Sequence, residues 1–222
     1  MSKEYFAISV ADSKIPFRVF YERAATGAPV VRPECKDLVC KKCGKLSTHA
    51  ALQRGVPNLV EIDSGLGMDV AVSLDHILTL SRRAVDVIER AAPGAVEFFP
   101  PTNDSERYFA YPRTIFCPPA GARTYTPVEE AVPGEAFQVR GRACSSCRRF
   151  RSVTFQPAWF EPPSNTFLGA AQCEPGGAYG TESFTWLIAS ESAEPLRSLK
   201  GCSLRDLKAE RDTLRSRTHL SL

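Results

Sequence analysis

Cys40-Lys41-Lys42-Cys43-Gly44 and Cys144-Ser145-Ser146-Cys147-Arg148 are the two stretches that decide how this chain is read. Each is a C-x-x-C. Such a turn points two sulfurs at one centre, and zinc takes four soft or borderline ligands in a tetrahedron. Two turns brought together therefore complete a four-thiolate site at Cys40, Cys43, Cys144 and Cys147. Gly44 suits a knuckle, where the residue past the second ligand takes positive φ. Arg148 holds the same place in the second turn and suits it less well. About a hundred residues separate the turns, far more than the roughly 15–20 of a ribbon, so the fold itself has to close the site. Beside a structural Zn2+ stand two other readings, unrelated pairs of thiols and redox chemistry. A redox C-x-x-C belongs between a strand and a helix of a βαβ unit, and neither turn has that setting. Cys35 and His49, on either side of the first turn, are candidate substitute ligands.

The basic residues gather at the same two places. Lys41, Lys42 and Lys45 surround the first turn, and Arg140, Arg142, Arg148, Arg149 and Arg151 the second. If the turns meet, these charges meet. Cations offset the formal dianion of zinc held by four thiolates. A nucleic-acid footprint is the sharper reading of this pattern, and a solvated basic face the plainer one. The whole chain is only +3, from 28 Lys and Arg against 25 Asp and Glu, which excludes no class of partner.

At 222 residues, the chain can bury a core without staples. No apolar run reaches bilayer length, so no membrane partner is expected. Met1-Ser2-Lys3-Glu4-Tyr5 lacks a basic region followed by an apolar stretch, and a cytoplasmic location follows as an expectation. Eight cysteines in a reducing compartment favour metal binding or free thiols over disulfides.

The elements predict an α+β fold. Strands are expected at 5–10, 17–21, 59–62 and 75–80. Ser81 caps a helix over 82–92 whose Ala84, Val87, Ile88 and Ala91 share one face, and a strand follows at 96–99. Short strands at 108–111 and 114–116 come next, then a hairpin of 136–140 and 152–155 carrying the second turn. Residues 156–182, rich in Pro and Gly, read as an irregular loop. The strand–helix–strand pattern then returns, with a strand at 184–189, Ser190 as cap, a helix over 192–200 and a strand at 202–207. From Lys208 the polar tail reads as frayed. Both halves thus run knuckle, then strand–helix–strand, which points to an internal duplication. The N-terminal half is 1–110, the C-terminal half 111–207 and the tail 208–222, together one domain.

Two distant knuckles, each followed by such a unit, resemble the bacterial double-CXXCG proteins. Cys40, Cys43 and Gly44 match the first motif in full; Cys144 and Cys147 match the second, with Arg148 in place of its glycine. The stretch 184–207 resembles the family's C-terminal segment. The resemblance implies a zinc-ribbon-like double knuckle and an immunity protein that neutralises a cognate toxin by direct contact, and not an enzyme.

The residues themselves carry no catalytic set that competes with this. His49, His76 and His219 stand in no H-E-x-x-H or nucleophile motif. Gly65 and Gly67 lack the third glycine of a nucleotide loop. Asp63 and Asp69 read as loop acids. A cysteine nucleophile outside the knuckles, at Cys35, Cys117, Cys173 or Cys202, needs a lowered pKa and access. A metal-dependent enzyme needs an open coordination position, which four thiolates close. Binding of nucleic acid through the knuckle arginines is the alternative to a protein partner.

Overall fold

The computed structural model describes residues 4–10, 14–15, 19–23, 25–26, 29–55, 67–100, 107–119, 123–124, 134–163, 166, 168–173 and 183–219. In chain order these form β1 (Tyr5–Val10), β2 (Lys14–Ile15), β3 (Tyr21–Arg23), β4 (Pro29–Val31), α1 (Thr48–Gln53), β5 (Val70–Ser73), β6 (Leu78–Ser81), α2 (Arg82–Ala91), β7 (Val96–Phe99), β8 (Arg107–Pro112), β9 (Ile115–Phe116), β10 (Arg123–Thr124), β11 (Phe137–Arg140), β12 (Ser152–Phe155), β13 (Leu168–Cys173), β14 (Ser183–Ala189), α3 (Ser190–Ala193), β15 (Cys202–Asp206) and α4 (Leu207–His219). Short 3₁₀ turns lie at Pro33–Leu38, Pro157–Trp159 and Glu194–Ser198. The fold is α+β with several sheets.

Two five-stranded sheets share one plan. Their orders are β7-β8-β6-β5-β2 and β15-β1-β14-β13-β9. In each, the last strand is parallel to its neighbour and every other pair is antiparallel. In each, a helix links two strands that lie on either side of a third. α2 joins β6 to β7 around β8, and α3 with its 3₁₀ turn joins β14 to β15 around β1. The intervening strand comes from the other end of the chain in the second sheet, since β1 opens the sequence.

Period-2 alternation divides each sheet between two cores. Phe6, Ile8, Trp186 and Ile188 from one sheet, and Tyr108, Ala110, Leu78 and Leu80 from the other, face a common core. The buried face of α2 and Ala193, Leu196 and Leu199 complete it. The opposite faces carry separate cores. Phe109 and Tyr111 pack with Leu46, Leu52 and Cys35 below the first knuckle. Tyr5, Ala7 and Leu187 pack with Phe137, Val153 and Phe155 below the second. Each knuckle is thus mounted on the outer face of one sheet.

The helix caps as the sequence predicts at Ser81, whose Oγ accepts the Ala84 N–H at 3.1 Å. Elsewhere the elements differ from expectation. Val19 and Phe20 form a bend, and the strand starts only at Tyr21. Asp75 and His76 lie ahead of the strand expected at 75–80, because His76 takes φ +62° and breaks the extended run. Ser190 is the first helical residue, with Ala189 at the cap position and no side-chain cap. Pro195, without an N–H, then tightens the turn into 3₁₀ geometry. Within 156–182 lies a six-residue strand, β13. The expected tail is a 13-residue helix, α4. Asp206 Oδ1 accepts the N–H groups of Lys208 and Ala209, Leu207 is buried, and Arg211 bonds Ala158 O, Phe160 O and Glu161. The strand expected at 59–62 and the loop acid Asp63 lie outside the described residues. No helix among the described residues is long and apolar enough to cross a membrane.

Candidate metal centre

Two tight turns present the cysteines. In the first, the Cys40 N–H donates to Lys45 O at 2.9 Å and the Gly44 N–H to Cys40 O at 2.8 Å. In the second, the Cys144 N–H donates to Arg149 O and the Arg148 N–H to Cys144 O, both at 2.8 Å. The turns are the same structure. Gly44 has φ +73° and Arg148 φ +63°, so the arginine adopts the left-handed conformation that glycine takes without strain. The Val39–Leu46 bridge closes the first turn, and β11 with β12 closes the second as the hairpin the sequence predicts.

The fold brings both turns to one point. Cys40 Sγ lies 3.8 Å from Cys144 Sγ, and Cys43 Sγ lies 3.4 Å from Cys147 Sγ. All four sulfurs fall within 4.8 Å of one another. A tetrahedron with Zn–S bonds of about 2.3 Å has edges of about 3.8 Å, so the four thiols fit one zinc ion. The close pairs join equivalent positions of the two turns. Two polar contacts reinforce the junction. Lys42 Nζ donates to Ser145 Oγ at 3.0 Å, and Arg149 Nη1 donates to Leu46 O. Neither contact is visible in sequence beyond the basic character of the flanks.

Backbone dipoles sort the thiols. N–H groups of Cys43 and Lys42 lower the Cys40 thiol to about 6, and those of Cys147 and Ser146 lower Cys144. Burial pushes Cys43 up to about 12 and also raises Cys147. The first cysteine of each turn is thus shifted towards the thiolate and the second towards the thiol.

The substitute ligands lie elsewhere. Cys35 is buried in the core beneath the first knuckle, and burial raises its thiol to about 11. His49 Nε2 is bonded to Glu97 at 2.9 Å, and its ring stacks on Tyr111 with centroids 4.6 Å apart. The four-cysteine set contains neither residue. Burial raises Cys202 to about 11 as well, which removes the thiolate a nucleophile needs. Asp69 accepts from Ser81 Oγ, Arg83 and the Lys200 N–H, and that network ties the first sheet to the Lys200–Gly201 turn.

Compared with protein-family models, with curated proteins and with solved structures, the chain matches none of them.

Proposed function

We propose that the chain is a zinc-stabilised binding protein, and that its partner is a cognate bacterial toxin neutralised by direct protein–protein contact. One observation carries the first part: four sulfurs from two distant turns converge at tetrahedral spacing. Four thiolates fill the coordination sphere of zinc and leave no position for a substrate or an activated water. Such an ion is a clamp. The toxin as partner follows from the resemblance to the double-CXXCG immunity proteins, and from a clamp that makes a rigid body suited to recognition. The two matched sheets fit an internal duplication in which each copy supplies half of the metal site.

Two measurements test this reading. Metal analysis of protein purified without chelator should give one zinc per chain. Co-expression with the product of the neighbouring gene should yield a complex that survives gel filtration and abolishes that product's toxicity. An absence of zinc would remove the clamp, and a toxin unaffected by the protein would remove the partner. Nucleic-acid binding is the second reading, favoured by the exposed cations of the knuckles.

A further inference from the structure

Eight cations and no acid lie in the two knuckle segments 38–48 and 136–156, which leaves 20 Lys and Arg against 25 Asp and Glu in the rest of the chain. Lys45 is buried, Arg149 is half-buried and bonds Leu46 O across the knuckles, and Lys42 reaches across to Ser145 Oγ while staying exposed; Lys45 and Arg149 are set aside. The other six, Lys41, Lys42, Arg140, Arg142, Arg148 and Arg151, are exposed. Arg140 pairs in register with Ser152, next to Arg151, so these two guanidinium groups leave neighbouring strand ends. Arg148 and Lys42 adjoin the cysteines themselves. A metal held by four thiolates carries a formal charge of −2, and six cations overcompensate it.

We infer that this ring of exposed cations around the four-cysteine cluster is the docking surface, and that it takes a carboxylate-rich face of a partner protein. The inference rests on the binding function proposed above and names the chemistry of the partner. Arginine dominates the ring, and its planar fork meets a carboxylate or a phosphate in two parallel hydrogen bonds. Arginine is also enriched at protein interfaces, where lysine is depleted. Neither turn carries an exposed aromatic side chain on which bases stack; Phe150, the one aromatic residue between the strands of the second hairpin, packs into the core. The turns also hold their arginines in fixed positions through the shared metal, which lowers the ordering cost of docking.

The test uses the full-length zinc-loaded protein and poly-L-glutamate as the probe, with a mixed-sequence DNA duplex in parallel at the same salt. Wild-type protein should bind polyglutamate more tightly than the duplex. The variant Arg140→Gln, Arg142→Gln, Arg148→Gln, Arg151→Gln should bind polyglutamate at least about tenfold more weakly, from the worth of exposed ion pairs at low salt. A control with the same change in net charge, Arg90→Gln, Arg113→Gln, Arg197→Gln, Arg205→Gln, removes exposed cations outside the knuckle segments and should keep wild-type affinity. Equal weakening in both variants would reduce the effect to net charge and overturn the inference. Tighter binding of the duplex would overturn it in favour of nucleic acid. Zinc content and melting temperature are read on the same samples. A knuckle variant that keeps its zinc and its fold yet still binds refutes the docking surface alone, whereas wild-type protein without zinc refutes the clamp reading.

Discussion

Removing the metal opens a cross-link between residues that are 104 positions apart. The chain-entropy treatment gives about 4.7 kcal/mol for closing a loop of about 100 residues. None of the four ligand cysteines belongs to the three hydrophobic cores, and β1 pairs with strands from the far end of the chain. The metal-free protein should therefore stay folded and lose mainly the cross-link. For a chain of this size about 2–4 °C of melting temperature goes with each kcal/mol, so the drop should be about 10–20 °C. Calorimetry of zinc-loaded and chelated protein, both with a metal-free reductant, measures it. Cys43→Ser and Cys147→Ser should each give the same drop and abolish any further response to chelator. A change below about 3 °C would show that the clamp does not constrain the fold. Collapse of the far-UV circular dichroism on chelation would refute the reasoning from the other side, because the metal would then build the fold and not merely close it.

The remaining predictions address the turns and the pH response. Gly201→Ala should destabilise by about 3 kcal/mol, because φ is +84° and a Cβ would stand 2.3 Å from Val70 O; the shift of the urea midpoint checks it. Arg148→Gly should stabilise by about 1 kcal/mol by relieving the left-handed strain, and a lowered midpoint would contradict the shared geometry of the turns. Zinc affinity should rise with pH. Cys43 and Cys147, both pushed above the ordinary thiol range, hold their protons at neutral pH and release them on binding. The apparent affinity should then change by at least about 100-fold per pH unit between pH 7 and 8, weakening towards acid, as measured by competition with a chromogenic chelator.

The sequence is most legible where spacing narrows the uses of a residue type. Paired cysteines at C-x-x-C spacing pick out the four candidate ligands, and the fold brings them together. The 82–92 helix is legible for a similar reason, since Ser81 and the spacing of Ala84, Val87 and Ile88 agree. β13 is hidden because Leu168-Gly169-Ala170-Ala171 offers little β propensity. Its glycine is selected by contact instead, as the Phe116 ring lies 2.8 Å from where a Cβ would sit. α4 is hidden because its outer surface is polar and charged. Leu207 and Arg211 hold it down, and Asp206 ahead of Leu-Lys-Ala-Glu is the cap signal that marks its start. His76 shows the opposite failure. Its neighbours Ile77, Leu78 and Leu80 are strand-forming residue types, but a left-handed turn at His76, fixed by its N–H to Ser73 O, delays the strand to Leu78.

The likeness of the halves reaches below strand order to single contacts, and there it separates what the fold needs from what is free to change. Tyr5 opens β1 and sends its hydroxyl to Thr166 O at 2.9 Å, two residues before β13 starts. Arg107 opens β8 and sends Nη1 to Met68 O at 2.7 Å, two residues before β5 starts. The matched positions keep the same long-range bond to the same backbone site with different side chains. A phenol and a guanidinium share no chemistry except a donor at the end of a flat group, so the contact is kept for its geometry. The knuckles behave in the same way, with Gly44 and Arg148 in one conformation. In contrast, both turns carry the same pair of sulfurs, as a tetrahedral ion shared equally between them would require. An ion so placed couples the two sheets only while both turns hold their shape. Zinc binding would then have to hold Arg148 in its left-handed conformation, and relieving that strain should tighten zinc binding together with the fold.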